Sequence, residues 1–288
     1  MLRTAQKLLY PISNLWYEES NRGQRSRRLC AFCGWQLWKR LVGKPITVSL
    51  FNGKRFIAHS DCQVSSGILY ARIPNSKNIL FLREHLSGGT LIDVGANVGS
   101  VSLLLADKIE DAILFEPSPV AAARARENLA LNDLGFKVYE LALSDSNGEV
   151  RFESRGNVDV GAHIMRNSGD GATASRVVQC CTFDEFLRQH GDPTSPVSLV
   201  KIDVEGHENS VLRGMGQFLA VRRPPLVMFE YLERTNLEQT QNIFRGVGYQ
   251  VFELSAKGPV AIHGRAEPLQ DLFACPMELV AAMGVASA

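Results

Sequence analysis

The stretch Thr90-Leu91-Ile92-Asp93-Val94-Gly95-Ala96-Asn97-Val98-Gly99 decides the fold, because a mostly apolar run leads directly into a turn that contains two glycines. Such a run before a glycine-rich turn is typical of a buried strand that passes its chain into a helix. Gly95 and Gly99 allow a tight turn and a close approach of the backbone to a ligand. The run from Val98 to Ala106 is predicted to be helical, so that its free N–H groups face that ligand.

Asp93 distinguishes between two kinds of nucleotide site that this turn could form. A carboxylate at the strand end repels the pyrophosphate of a dinucleotide but attracts the ammonium group of a methionine moiety. The turn also departs from the Gly-x-Gly-x-x-Gly spacing, because Asn97 lies between its two glycines. We therefore predict that Asp93, Gly95, Asn97 and Gly99 bind S-adenosylmethionine (SAM), with S-adenosylhomocysteine as the product.

A second apolar strand, Ala112 to Glu116, follows roughly 20 residues downstream and also ends in an acid. Glu116 and Pro117 are predicted to bind the cofactor, and Glu116 to accept hydrogen bonds from both of its ribose hydroxyls. Each motif alone is also compatible with a structural turn, a helix cap or a surface residue. Their order and register together favour the cofactor site.

Charge balance, chain length and cysteine content indicate which partners, domains and cellular compartment to expect. The 288-residue chain carries 31 basic and 30 acidic side chains, a net charge of +1, which argues against a nucleic-acid partner. We predict an N-terminal segment over residues 1–88 and one large domain over residues 89–288. Six cysteines without a signal-peptide pattern predict free thiols and a cytoplasmic protein.

The N-terminal segment combines cations with aromatic residues. Six basic residues between Arg22 and Arg40 surround the apolar run from Leu29 to Trp38, which is too short to span a bilayer. One hypothesis is a helical lid, or a dimer element, packed against protein. The other is an amphipathic helix at the inner face of an anionic membrane.

Periodicity and turn signals predict the architecture of the rest of the chain. Asn52-Gly53 predicts a β-hairpin between Ile46 to Leu50 and Arg55 to Ala58. The segment from Ser66 to Leu86 then has helical spacing interrupted by a proline. From Gly89 onward strands and helices alternate, which predicts a doubly wound, mostly parallel α/β sheet with helices on both faces.

The alternation stops at Asp145. Residues 146 to 175 are rich in glycine, asparagine and serine, and they predict a mobile surface or a substrate loop with a short strand at Glu149 to Glu153. Asp145 follows the third strand, at a position from which a side chain can reach the adenine amino group of the cofactor. A turn-forming role for Asp145 is the alternative.

The run from Val197 to Glu208 delivers charged side chains at the carboxyl end of a fourth strand, where open α/β sheets bind ligands. Asp203, Glu205 and His207 are candidates to take a proton from an acceptor hydroxyl. His207 is the first choice because the unperturbed pKa of histidine is about 6.5, and a capping or structural role is its alternative. Asp203 is also predicted to contact the cofactor near its methyl end.

Lys201 and the fifth strand complete the predicted crevice. Lys201, inside the fourth strand, must emerge at an edge or pair with a carboxylate. The fifth strand ends in Glu230 and Tyr231, which are predicted to contact the acceptor, although Glu230 alternatively neutralises Lys201 or a basic residue of the N-terminal segment. Two acids and His207 also offer ligands to Mg²⁺, but their spacing is not specific to a metal.

The motifs at Ile92 to Gly99 and Val200 to Glu208 together resemble the FkbM family of methyltransferases. The resemblance covers roughly residues 90 to 249, and three shorter matches are Phe115-Glu116-Pro117, Thr182-Phe183-Asp184 and Phe229-Glu230. It implies a seven-stranded class I methyltransferase fold of the Rossmann-like type. It also implies O-methylation, often of sugar hydroxyls in glycans or glycolipids and of polyketide hydroxyls. Residues before Lys77 match no family motif and are expected to carry the acceptor specificity.

Three functional hypotheses follow from these patterns. The first is a SAM-dependent O-methyltransferase for a sugar hydroxyl in a glycan, polysaccharide or glycolipid. The second keeps the chemistry but places it on a polyketide or another secondary metabolite, and it predicts a dry apolar pocket instead of an open polar groove. The third is a SAM-binding regulatory protein without turnover. Nucleic-acid methylation is disfavoured because the fourth strand lacks an Asn-Pro-Pro-aromatic motif.

Overall fold

The computed structural model describes residues 15–16, 18–153, 163–165, 175–264 and 266–287. The N-terminal segment contains helix α1 (Arg25–Leu41), strands β1 (Ile46–Ser49) and β2 (Arg55–Ala58), and helices α2 (Gln63–Tyr70) and α3 (Ser76–His85). The next elements are β3 (Thr90–Val94), α4 (Ser100–Leu105), β4 (Asp111–Phe115), α5 (Pro119–Ala130), β5 (Lys137–Tyr139), β6 (Ala142–Leu143), β7 (Gly148–Glu153), β8 (His163–Met165) and β9 (Ser175–Cys181). The last are α6 (Phe183–His190), β10 (Val197–Ile202), α7 (Glu208–Gly214), α8 (Gly216–Arg222), β11 (Val227–Tyr231), α9 (Leu237–Gly246), β12 (Tyr249–Ser255), β13 (Gly258–Ala261) and β14 (Gln270–Pro276).

The central sheet has the strand order β13-β12-β14-β11-β10-β3-β4-β5. Strands β11, β10, β3, β4 and β5 pair in parallel, and β14 runs antiparallel between β11 and β12. This arrangement confirms the predicted mostly parallel α/β sheet. The sheet has eight strands instead of the expected seven, because β13 folds back on β12 as a hairpin and extends the edge.

Strand β3 lies in the middle of the sheet, and all five of its residues are buried. Its side chains alternate between two apolar clusters, since Leu91 belongs to one and Ile92 and Val94 belong to the other. A parallel strand covered on both faces needs apolar residues on both sides. The burial of Asp93 within such a strand therefore requires a specific compensating charge or hydrogen bond.

The N-terminal segment packs directly against the sheet. Phe56 and Leu82 are fully buried in the same apolar cluster as Leu91. Polar contacts reinforce this packing, since the backbone N–H of Ile57 donates to Asn128 Oδ1 at 2.8 Å. The predicted hairpin and the interrupted helical segment are confirmed as β1–β2 and α2–α3. The core thus crosses residue 88, and the division of the chain at that point stays a prediction.

A second sheet has the order β6-β9-β7-β8, and two of its strands, β7 and β8, lie in the stretch that the sequence predicted to be largely irregular. The predicted short strand is present as β7, which pairs antiparallel with both β8 and β9. The sequence signal was weak because β8 has only three residues and glycine, asparagine and serine dominate its surroundings. Residues 154–162 and 166–174, which make up most of the predicted substrate loop, lie outside the described residues.

Two further predictions concern cysteines and membranes. All six cysteines are free thiols, as the sequence predicted. Cys30 and Cys33 are exposed on α1 and belong to no group of potential metal ligands among the described residues. Within the same described ranges, no helix combines the length and the apolar character that crossing a lipid bilayer requires.

A matched pair of glycines tests the packing between α7 and the second sheet. A Cβ added at Gly214 would lie 1.9 Å from the carbonyl oxygen of Ser144, whereas one at Gly216 would have no neighbour within 4 Å. We expect Gly214→Ala to lower the free energy of unfolding by about 1–3 kcal/mol, because the backbone must shift. Gly216→Ala serves as the control and should change it by less than about 1 kcal/mol. Equal effects in urea denaturation would contradict the tight contact.

Candidate cofactor and acceptor site

The turn between β3 and α4 has three residues in the left-handed region, with φ of 72° at Gly95, 50° at Asn97 and 75° at Gly99. A Cβ at Gly95 would lie 1.9 Å from the carbonyl oxygen of Asp203, so only glycine allows this approach. The backbone N–H of Gly95 also donates to the carbonyl of Phe115 at 2.9 Å. The turn is therefore held against the carboxyl ends of both β10 and β4.

Glu116 connects the same turn to the start of α5. Its carboxylate accepts hydrogen bonds from the backbone N–H groups of Asn97 at 2.9 Å and Ser118 at 2.8 Å. Burial raises the pKa of Glu116 to about 7, although these two hydrogen bonds and Lys201 act in the opposite direction. Each carboxylate oxygen retains a lone pair for a further donor. The contact that we predicted between Glu116 and ribose hydroxyls is thus compatible with the geometry and stays a prediction.

The side chain of Asn97 supplies an independent sign of a ligand. Its Oδ1 is buried and has no hydrogen-bond partner among the described residues. A buried carbonyl oxygen without a donor is costly, and a ligand with hydroxyl or amino groups would satisfy it. Asn97 and the spare acceptors of Glu116 therefore fit a nucleoside-containing cofactor at the turn from Gly95 to Gly99, called the cofactor turn below.

Asp93 is fully buried, and its two carboxylate oxygens differ in their surroundings. Ser102 Oγ donates to Oδ2 at 2.8 Å, whereas Lys201 Nζ lies 3.2 Å from Oδ1 as an ion pair, and Oδ1 has no hydrogen-bond partner among the described residues. Burial disfavours the charged form of Lys201, but Asp93 and Asp203 outweigh burial and raise the pKa of Lys201 above its ordinary value. Lys201 also donates to the carbonyl of Gly95 at 2.7 Å. The predicted contact between Asp93 and the methionine ammonium remains untested, but Asp93 acts first as the partner of Lys201.

The pairing of Lys201 resolves one of the alternatives left by the sequence. Its carboxylate partners are Asp93 and, at 3.5 Å, Asp203, whereas the sequence offered Glu230 as a partner. Asp93 and Lys201 are neighbours across the parallel pairing of β3 with β10, which the sequence alone did not specify. Asp93 and Asp203 thus take the role that was offered to Glu230 beside Lys201, and the alternative pairing of Glu230 with a basic residue of the N-terminal segment stays a prediction.

Three carboxylates gather where β10 and β11 end. One oxygen from each of Asp203, Glu205 and Glu230 lies within 4.8 Å of the others. Glu205 has a φ of 55° and pairs with Arg234 at 3.2 Å. Burial and the charges of Asp203 and Glu205 raise the pKa of Glu230 to about 9, so Glu230 holds a proton at neutral pH. The potential metal ligands thus include Glu230 in place of His207, and the grouping alone does not assign a metal.

His207 is only 7% exposed. Its Nε2 lies 2.8 Å from Ser144 Oγ, and the residue directly precedes α7 without capping that helix through its side chain. Its burial and its contact with Ser144, the residue after β6, favour the structural alternative over proton transfer. The base assignment stays a prediction.

Glu208 fixes the backbone of the turn from Asp203 to His207, called the acidic turn below. The sequence analysis missed this role. It is fully buried, and its Oε1 accepts hydrogen bonds from the N–H groups of Gly206 at 2.9 Å and Val204 at 3.3 Å. These bonds brace the turn in which Glu205 and Gly206 have positive φ. The available sequence signal was an acid at the start of a helix, shortly after Glu205-Gly206. A turn at that glycine leaves backbone N–H groups that need acceptors, and such an acid can supply them.

Asp145 follows β6 of the second sheet, and Arg213 Nη2 pairs with it at 2.9 Å. Arg213 Nε lies 3.1 Å from the same carboxylate oxygen, Oδ2. The predicted contact with the adenine amino group would have to use the remaining acceptor capacity of Asp145 and stays a prediction.

An open cleft of about 540 Å³ adjoins the carboxylates at the ends of β10 and β11. It is lined by Asn75, Lys77, Asn78, Asp203, Glu230, Leu232, Leu269, Gln270 and Asp271. Of the two residues predicted to contact the acceptor, Glu230 lines this cleft, and Tyr231 does not appear in its lining among the residues that the structure describes. The predominance of polar side chains favours a hydrophilic ligand.

The N-terminal segment and β14 contribute residues to this cleft that the sequence analysis missed. Asn75 and Asn78 at the start of α3 donate to Asp271 Oδ2 at 2.6 and 2.7 Å. Burial and the nearby Asp203 raise the pKa of Asp271. The spacing of the two asparagines placed them on one helix face. Nothing in the local sequence, however, connected that face to a strand nearly 200 residues away.

The buried pair of Lys201 and Asp93 predicts a large loss of stability on truncation. We expect Lys201→Met to lower the free energy of unfolding by about 3–5 kcal/mol, because it leaves Asp93 buried without a counter-charge. The double variant Asp93→Leu/Lys201→Met should recover much of this loss in urea denaturation. Lys257→Met, at an exposed position, is the control. A loss no larger than that of the control would refute a compensating pair.

The raised pKa of Glu230 predicts a pH-dependent stability. The unfolded chain loses this proton near the ordinary value of 4.5, but the folded protein keeps it up to about pH 9. Ionisation of Glu230 therefore costs stability progressively as the pH rises through that window. We expect Glu230→Gln to become more stable relative to the unaltered protein between pH 5 and pH 9. Exposed Glu238→Gln should show no such trend, and a flat difference for Glu230→Gln would contradict the shift.

Comparison with known proteins agrees with this geometry. Residues 93–251, more than half of the chain, match the methyltransferase FkbM domain. The hexuronic acid methyltransferase AglP of Haloferax volcanii is 32% identical over 136 residues, which are 47% of this chain and 54% of AglP. The 2-O-methyltransferase NoeI of Sinorhizobium fredii is 29% identical over 195 residues, which are 60% of this chain and 76% of NoeI.

The matched part of the chain thus spans about half the length of AglP. Among solved structures, a SAM-dependent methyltransferase from Agrobacterium tumefaciens gives a TM-score of 0.48 at 14% identity, with 83% of this chain and 72% of that chain covered. The family match begins at Asp93 in β3, directly before the turn at Gly95 to Gly99, and includes the turn from Asp203 to His207 after β10. The chain therefore belongs to the FkbM family of methyltransferases.

Proposed function

We propose that this protein is a SAM-dependent O-methyltransferase that acts on a sugar hydroxyl in a glycan, polysaccharide or glycolipid. The observation that carries the acceptor class is the open polar cleft beside the cofactor turn. Asn75 and Asn78 each use one N–H on Asp271 and retain a second donor and an acceptor, and the oxygen of the Gln270 amide and the carboxylates offer further acceptors, as a polyhydroxyl ligand requires. The relatives named for hexuronic acid methylation and 2-O-methylation support the same class.

The cofactor is assigned to the turn between β3 and α4. Gly95 and Gly99 give the backbone its approach, Asn97 presents an unsatisfied oxygen, and Glu116 offers acceptors to ribose hydroxyls. When bound, SAM supplies an electrophilic methyl group on a positively charged sulfur. Asp203, in backbone contact with Gly95, places a carboxylate between this turn and the acceptor cleft.

Proton removal from the acceptor is assigned to the cleft carboxylates. The side chain of Asp203 is 43% exposed and lines the cleft, so an acceptor hydroxyl can reach it. Protonated Glu230 can donate a hydrogen bond to a second oxygen of the acceptor and hold it in line with the methyl group. The ion pair with Lys201, at 3.5 Å, holds the Asp203 carboxylate in place. We therefore place Asp203 before Glu205 and His207 as the group that takes the proton.

Transfer of labelled methyl from SAM tests this proposal. We expect label in the polysaccharide or glycolipid fraction of a cell extract, and a loss of about 10²–10⁴-fold in Asp203→Asn, which keeps the shape of the side chain. SAM binding by calorimetry is measured in parallel. Label only in apolar small molecules would support the secondary-metabolite hypothesis. Cofactor binding without any transfer would support the regulatory one.

The same assay separates Asp203 from His207. His207→Gln should lower the free energy of unfolding by about 1–3 kcal/mol, because Ser144 loses its buried partner. Its turnover at a temperature where it is folded should stay within about tenfold of the unaltered protein, below the usual contribution of a general base. A full loss of turnover in a stable His207→Gln variant, with activity retained in Asp203→Asn, would reverse the assignment.

A further inference from the structure

Helix α1 packs on the catalytic domain through one face. Phe32 and Trp35 on that face are 5% and 3% exposed and belong to the core that includes β3. Trp35 Nε1 donates to Ser66 Oγ of α2 at 3.1 Å. The lid or packing hypothesis thus accounts for the inner face of the helix.

The opposite face of α1 carries apolar side chains that the described residues leave uncovered. Leu37 and Leu41, one turn apart, are 58% and 74% exposed, and Leu29 is 40% exposed. Six of the twelve exposed large apolar side chains of the described residues lie between Trp16 and Val42. Single exposed apolar residues are ordinary, but a contiguous group marks an interaction surface.

Helix α1 and the residues that flank it also concentrate positive charge. Residues 22–44 contain seven lysines and arginines and neither aspartate nor glutamate, in a chain whose net charge is only +1. Arg25 Nε and Arg28 Nε are buried without a hydrogen-bond partner among the described residues. Burial and the neighbouring Arg27 lower the pKa of Arg28, and burial and Arg40 lower that of Lys39. Cations are therefore crowded on this helix, and two of them, Arg27 and Arg40, are exposed.

We propose that the outer face of α1 docks on an anionic lipid bilayer, with Leu37 and Leu41 inserted between lipids and the flanking cations at the phosphate headgroups. Each alternative partner satisfies only half of this surface. A soluble polyanion would neutralise the cations but leave the leucines in water. A second copy of the chain would bury the leucines but bring two clusters of positive charge together. An anionic bilayer satisfies both.

Docking at this face would hold the acceptor cleft near the membrane. Ser20, just before α1, exchanges hydrogen bonds with the backbone of Ile73, with Ser20 Oγ donating at 3.2 Å and accepting at 3.1 Å. Glu18 accepts a hydrogen bond from Ser76 at the start of α3. Between these two contacts lies Asn75, which lines the cleft. If the proposed function is correct, the acceptor is then a sugar carried by a lipid in that membrane.

Vesicle sedimentation of the full chain, without SAM or acceptor, tests the docking independently of catalysis. We expect binding to vesicles of phosphatidylcholine that contain about 30% phosphatidylglycerol, a fraction that gives a strong negative surface potential. Binding to pure phosphatidylcholine should be at least tenfold weaker. Raising the salt concentration should weaken the binding. Leu37→Ser/Leu41→Ser should reduce it by at least tenfold, and Arg27→Gln/Arg40→Gln should do the same.

Matched controls place the same substitutions elsewhere on the surface. Val221→Ser removes an exposed apolar side chain from α8, and Lys137→Gln/Lys257→Gln removes two exposed cations. These variants should bind as the unaltered protein does, and thermal unfolding checks that every variant is folded. Absence of binding to the anionic vesicles, or binding that the α1 variants leave unchanged, would overturn the proposal. A dimer in solution that dissociates in Leu37→Ser/Leu41→Ser would assign the face to a second copy instead.

Discussion

The contact between Lys201 and Asp93 is the constraint on which the site depends. Two neighbouring parallel strands each place a charged residue inside the sheet, and each charge is tolerable only because the other is present. Lys201 then extends the same network to the carbonyl of Gly95 and to the carboxylate of Asp203. One buried ammonium group thereby fixes the cofactor turn and the first acid of the acceptor cleft in a common frame.

The fold was largely predictable because its signals are local. Apolar strands such as Thr90 to Val94 must be buried on both faces, and the glycines that follow them need positive φ, whatever the rest of the chain does. The hairpin at Asn52-Gly53 belongs to the same category. Strand β13 and the second sheet were less accessible, because short strands with few apolar residues acquire their structure from the partner strands and not from their own sequence.

The site was predictable only where one motif carries its own geometry. The turn residues and Glu116 come together because adjacent parallel strands end at one edge of the sheet. Pairings between distant segments are not encoded locally, so the partner of Lys201 and the contribution of Asn75 and Asn78 to the cleft were inaccessible. The role of His207 was not accessible either, since a suitable intrinsic pKa does not show whether the ring faces a substrate or a buried serine.

The close approach of Gly95 to the carbonyl of Asp203 has a consequence for how the two ligands communicate. No side chain lies between the cofactor turn and the acidic turn at this point. A displacement of one backbone therefore cannot be absorbed by a change of side-chain rotamer. A movement of the cofactor turn on binding is transmitted to the residue that meets the acceptor. Cofactor and acceptor should therefore bind in a coupled manner, with each altering the affinity for the other by the same factor.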